Sequence, residues 1–86
     1  EGRRGSEIVQ PSVFTKNGLR VFFYSNDHTP IHVHVRKGGA EAVFEIGTTV
    51  HLRESVGMKV KDLEIAQRLA VENRNLIIQK WNEHLG

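Results

Sequence analysis

"IHVHVRKGGAEAVFEI" (Ile31 to Ile46) is the stretch that decides the fold. Ile31, Val33 and Val35 alternate with His32, His34 and Arg36, the period of two that a strand shows when one face meets a core. Gly38-Gly39 follows as a two-residue hairpin turn, because glycine accepts the positive φ such turns need. With that turn as the loop, Lys37 faces Ala40, and counting back pairs Val35 with Ala42, Val33 with Phe44 and Ile31 with Ile46. The other face pairs Arg36 with Glu41, His34 with Val43 and His32 with Glu45. Slipping by one residue would set Phe44 opposite a histidine and turn the apolar side of one strand into water. Turn and alternation therefore specify one register.

Upstream of this hairpin, Val13–Thr15 and Leu19–Tyr24 read as strands joined at Asn17-Gly18, and Ser25-Asn26-Asp27 with Pro30 supplies loop chemistry. Downstream, Thr48–Arg53 reads as a further strand, ended by Gly57. From Lys59 to Leu85 the period changes: Leu63, Ala66, Ala70, Ile77 and Trp81 form one stripe at helical steps, with no internal Gly or Pro. Lys59 stands where Ser or Asp would cap better, and Asn73 and Asn75 mark the place where the helix can break in two. The expectation is an α+β domain over residues 11–86, an antiparallel β-meander of three to five strands packed on a long C-terminal helix, with residues 1–10 as a flexible tail. The helix should cross the face carrying Val33, Val35, Ala42, Phe44 and Ile46, leaving His32, His34, Arg36, Glu41 and Glu45 exposed on the opposite face.

Composition narrows the function classes. Eighty-six residues make one domain with a modest core, for which a partner is a reasonable expectation. The chain has no cysteine, which excludes disulfides, thiolate metal sites and cysteine nucleophiles, and fits a reducing, cytoplasmic location. No apolar run approaches the roughly 18 residues of a membrane span, so no membrane role is expected. A net charge of +2 is too mild to mark a nucleic-acid-binding protein by itself. In the last helical segment Leu76, Ile77, Ile78, Trp81 and Leu85 cover roughly 220° of circumference, more than one packed stripe needs. Either the strands and the N-terminal segment wrap that arc or a second subunit does; a homodimer through Leu76, Ile78, Trp81 and Leu85 is the expectation.

Chemistry concentrates around the histidines. His32 and His34, two apart on a strand, put their rings on one face roughly 6.5–7 Å apart at Cα. That spacing suits one divalent ion such as zinc, with His28 completing a His28–His32–His34 set and Asp27 or Glu45 as further donors. A second reading needs no cofactor: Glu45 orients His32, His34 and Arg36 stand beside it, and the pair acts as acid and base on RNA, with Tyr24 donating a proton or stacking on a base. The plain alternative is a solvated polar face with ordinary cross-strand pairs, Glu45–His32 and Glu41–Arg36. Arg20, Arg36, Lys37 and Arg53 could rim the face for phosphates or an acidic partner. His51 and His84 stand alone, and no phosphate-binding loop or nucleophile elbow occurs.

The order of these features resembles a family of short prokaryotic proteins catalogued as a domain of unknown function, family 4160. The resemblance runs from about Pro11 to Gly86 and is carried by Phe22-Phe23-Tyr24-Ser25-Asn26-Asp27-His28, Pro30 and His32-Val33-His34-Val35. Such proteins commonly place a second proline where this chain has Ile31, and a serine cap where it has Lys59. The resemblance implies a bacterial protein encoded beside a second small protein, in an arrangement like a toxin–antitoxin pair, and so a cognate partner for the histidine face. It carries no assigned catalytic residue.

Overall fold

The computed structural model describes residues 12–24 and 26–85; the expected tail over residues 1–10 lies outside them. Five strands run antiparallel in chain order: β1 (Ser12–Lys16), β2 (Leu19–Phe22), β3 (His32–Lys37), β4 (Ala40–Ile46) and β5 (Val50–Val56). Two helices follow, α1 (Val60–Glu72) and α2 (Arg74–His84). This is the α+β meander that the alternation implied.

The β3–β4 register is the one counted from the turn, from Lys37 opposite Ala40 back to His32 opposite Glu45. Ile46 N–H closes its end by donating to the Ile31 carbonyl at 2.9 Å. Asn17 and Gly18, at φ of 56° and 76°, make the first hairpin turn, and Gly38, at φ 59°, takes the left-handed position of the second.

Leu19, Val21, Phe23, Val33, Val35, Ala42, Phe44 and Ile46 present one continuous apolar face, and Ala66, Leu69, Ala70, Ile77 and Trp81 of the helices close over it. The helix is broken where the asparagines weaken it. Asn73 leaves helical geometry at φ −110°, ψ 22°, and its side-chain amide donates to the Leu69 carbonyl at 2.9 Å, competing with the backbone for that acceptor. The break lets the chain bend around the core. Trp81 is buried within it, and Ile78, Leu85, Val13 and Phe14 pack against it, so part of the broad apolar arc of α2 meets the chain's own core, while Leu76 is not among the residues packed there.

The opposite face departs from expectation. His32 and His34 are only 7% and 8% exposed, and Phe22 and Val43 beside them are buried as well. The reason is the register: His34 lies between Phe22 on β2 and Val43 on β4, so its neighbours on both sides are apolar. The adjacent pair Phe22-Phe23 puts one aromatic ring on each face of the sheet, Phe23 in the main core and Phe22 opposite it.

Candidate functional site

The loop between β2 and β3 carries Asp27 back over this second face. Its backbone N–H donates to the Tyr24 carbonyl at 3.1 Å, and the Tyr24 N–H donates to Asp27 Oδ2 at 2.9 Å. Reciprocal bonds of this kind are the local turn chemistry that aspartate favours, and they fix where its carboxylate points. The Thr29–Pro30 peptide of the same loop is cis.

Both histidines turn Nε2 toward that carboxylate. His32 Nε2 stands 3.2 Å from Asp27 Oδ1, and His34 Nε2 stands 3.2 Å from Asp27 Oδ2 and 3.5 Å from Oδ1. Their other ring nitrogens are engaged from behind: His32 Nδ1 lies 2.8 Å from the Pro30 carbonyl oxygen, and His34 Nδ1 lies 3.2 Å from Glu41 Oε2. All four ring nitrogens thus face oxygen acceptors. Two neutral imidazoles carry only two N–H groups between them, so two of the four contacts would set lone pair against lone pair. The balance is restored by two further protons or by one divalent cation.

The spacing of the donor atoms admits the cation as well as the protons. Asp27, His32 and His34 each offer one donor atom, and these atoms lie within 4.8 Å of one another. Metal bonds of about 2.0–2.1 Å place neighbouring ligand atoms roughly 2.9–3.4 Å apart, close to the spacing from Asp27 Oδ1 to the two Nε2 atoms. The three side chains are 12%, 9% and 11% exposed.

Around this group sits a second layer. Glu41 Oε1 accepts from an Arg36 guanidinium nitrogen at 2.7 Å, and the same nitrogen donates to the Tyr24 hydroxyl at 3.1 Å. Partial burial pushes the Glu41 carboxyl up, but hydrogen bonds from Arg36 and His34 outweigh it and hold the group below its ordinary value. The rings lock together: Tyr24 meets His34 edge-on at 4.5 Å, Phe22 stacks on His34 at 5.5 Å, and His32 stands 5.4 Å from Trp81. Arg20 and Arg36 extend their guanidinium groups over the Phe22 ring.

Of the residues expected from the sequence, Asp27, His32, His34, Tyr24 and Arg36 come together. His28 does not; it is exposed, and the cluster among the described residues is formed by Asp27 in its place. Glu45 lies opposite His32 in register but turns its carboxylate toward Arg53 at 3.8 Å, so it does not orient that ring. Arg53 and Lys37 of the expected basic rim are thereby tied to local acids, Lys37 to Asp62 at 3.1 Å, and Arg20 donates to Ser12 Oγ at 3.0 Å. Two partners escaped sequence reasoning. Glu41 is the diagonal neighbour of His34 across the β3–β4 pair, which the register could have revealed. The Pro30 carbonyl is backbone, and nothing in the side-chain pattern points to it.

Residues 18–82 match the family described as Domain of unknown function (DUF4160). The chain belongs to the DUF4160 family. The matched span contains Asp27, both clustered histidines, Glu41, Arg36, Tyr24 and Trp81, and leaves out β1. No curated protein and no solved structure matches the chain. Among the described residues of this DUF4160 protein no helix is long and apolar enough to cross a membrane.

Proposed function

We propose that this DUF4160 protein is a divalent-metal-binding module whose protein ligands are Asp27, His32 and His34. The observation that carries the reading is the orientation of the imidazoles: each Nδ1 is held from behind by an oxygen, and each Nε2 is aimed at the same carboxylate. Metal-ligating histidines characteristically donate their other ring N–H to a carbonyl or carboxylate in this way. Two imidazoles and a carboxylate favour zinc, iron(II), cobalt or nickel over magnesium and calcium, which prefer all-oxygen sites. Three protein ligands leave a coordination position for water or substrate, the arrangement of catalytic rather than structural zinc sites. An ion held there would act as a Lewis acid and lower the pKa of a bound water.

Ribonuclease chemistry on His32 and His34 alone draws less support, because all four ring nitrogens are engaged and both rings are nearly covered. A cognate protein, as the toxin–antitoxin-like arrangement implies, would meet the surface around the site instead of the imidazoles themselves.

The test is titration calorimetry of untagged, EDTA-stripped protein with zinc, cobalt and nickel salts. A single ion should bind per chain, with binding lost in Asp27→Ala and in His34→Ala. Wild-type protein that takes up none of these ions at 100 µM metal would refute the proposal.

A further inference from the structure

We infer that Glu41 and Arg36 are positioning residues for the bound ion, setting how strongly and in what orientation His34 holds it. This rests on the metal reading above and deepens it. The two histidines are anchored by different kinds of group. His32 is held by the Pro30 carbonyl, a main-chain atom that no side-chain substitution removes. His34 is held by the carboxylate of Glu41, a side chain that is itself fixed by Arg36. The adjustable half of the site is therefore the His34 half.

Three physical consequences follow from that chain of contacts. The last torsion of a histidine is broad and roughly two-fold, so a ring without an anchor can turn its Nε2 away from the ion. Glu41 removes that freedom, and by accepting from Nδ1 it makes Nε2 a stronger donor to a metal. Arg36 holds Glu41 through a charge-assisted bond of 2.7 Å and offsets its negative charge, so that Asp27 is the carboxylate that faces the ion. The β3–β4 register keeps the pair opposed, since Arg36 and Glu41 are direct cross-strand partners. Tyr24 closes the frame: its amide holds Asp27, its ring edge packs on His34, and its hydroxyl accepts from Arg36.

The experiment is a competition titration with cobalt(II), with the visible ligand-field spectrum recorded at saturation, on wild type, Glu41→Ala, Glu41→Gln, Arg36→Leu and Asp27→Ala. Thermal melts in EDTA show that each variant is folded. Glu41→Ala should bind about 10–100-fold more weakly with a shifted spectrum. Glu41→Gln should recover much of the affinity, because its amide oxygen still accepts from Nδ1. Arg36→Leu should weaken binding by less than Glu41→Ala. Binding within about twofold of wild type and an unchanged spectrum in both Glu41→Ala and Arg36→Leu would overturn the inference while leaving the metal site standing. Should Glu41→Ala not fold, Arg36→Leu decides by the same two readouts. Absence of cobalt binding to wild type, or undiminished binding to Asp27→Ala, would instead remove the metal reading and this inference with it.

Discussion

Both faces of the central strands β2–β4 hold buried residues, covered by different means. On one, Val33, Val35, Ala42 and Phe44 meet Ala66, Leu69, Ala70, Ile77 and Trp81 in one apolar cluster, touched by the His32 ring at Trp81. On the other, Phe22 and Val43 lie among Asp27, His32, His34, Arg36, Tyr24 and Glu41, with side chains and a loop for cover. Apolar packing is non-directional, and side chains of similar volume can substitute for one another in it. A polar group taken out of water must find a partner at a defined distance and angle, so burying the second face forces a network of oriented bonds. Orientation is also what ion binding requires. The face that was costly to bury is the one able to do chemistry.

If the second face is a true packed layer, the two phenylalanines should matter equally. Phe22 and Phe44 are 0% and 1% exposed, so Phe22→Ala and Phe44→Ala should each lower unfolding stability by about 3–5 kcal/mol in urea titrations. A loss below about 1 kcal/mol for Phe22→Ala, typical of a surface change, would break the comparison and return the histidines to a wet face.

How far the sequence disclosed this differs between the faces in the same way. Alternation and the double-glycine turn specify which residues face the core, because one apolar face and a two-residue loop admit a single register. The same alternation says that His32 and His34 share a face, and they do. It is silent on whether that face is wet. The hint was present in Val43, which faces His34 in the counted register, but one apolar residue on a polar face carries little weight, and Phe22 came beside His34 only with the β2–β3 pairing. Where Asp27 would fall was set by a nine-residue connection folding across the sheet, Phe23 to Ile31, and loops of that length have no register to count. Lys59 was readable as a poor cap and makes no side-chain cap bond.

Metal should separate the faces next. An ion that binds only the folded chain adds about 2.7 kcal/mol at a free concentration 100 times Kd. Zinc at that level should raise the stability of wild type and of Phe44→Ala by the same increment, since Phe44 lies on the far side of the sheet from the ligands. Asp27→Ala should gain nothing. Equal gains in all three proteins would show that zinc acts elsewhere.

The turn between β3 and β4 serves both faces, so damage there should not discriminate. Gly38 sits at φ 59° with open space where a Cβ would go, which makes Gly38→Ala a backbone penalty alone. The expected cost is about 1–2 kcal/mol, with the zinc increment retained. A lost zinc response in this variant would mean that the hairpin register had slipped, carrying the histidines with it.

The smallest effect expected is the dependence of the second face on pH through Glu41. Its carboxyl is held below the ordinary value in the folded protein, since the bonds from Arg36 and His34 outweigh the opposing effect of burial. A carboxyl lowered on folding stabilises the protein above its unfolded pKa, about 4.3 for glutamate, and that contribution is lost as pH falls through the lower, folded value. The pair is partly solvated, so its worth at neutral pH should be a few tenths to about 1 kcal/mol. In the absence of metal, the urea midpoint of wild type should exceed that of Glu41→Gln at pH 7, and the gap should narrow as pH falls below the unfolded value. The deficit of Phe44→Ala should stay constant over the same interval, because nothing it touches in the core ionises. A gap between wild type and Glu41→Gln that did not change with pH would mean that the carboxylate charge is not what anchors His34, and the outer layer of the site would have to work by shape alone.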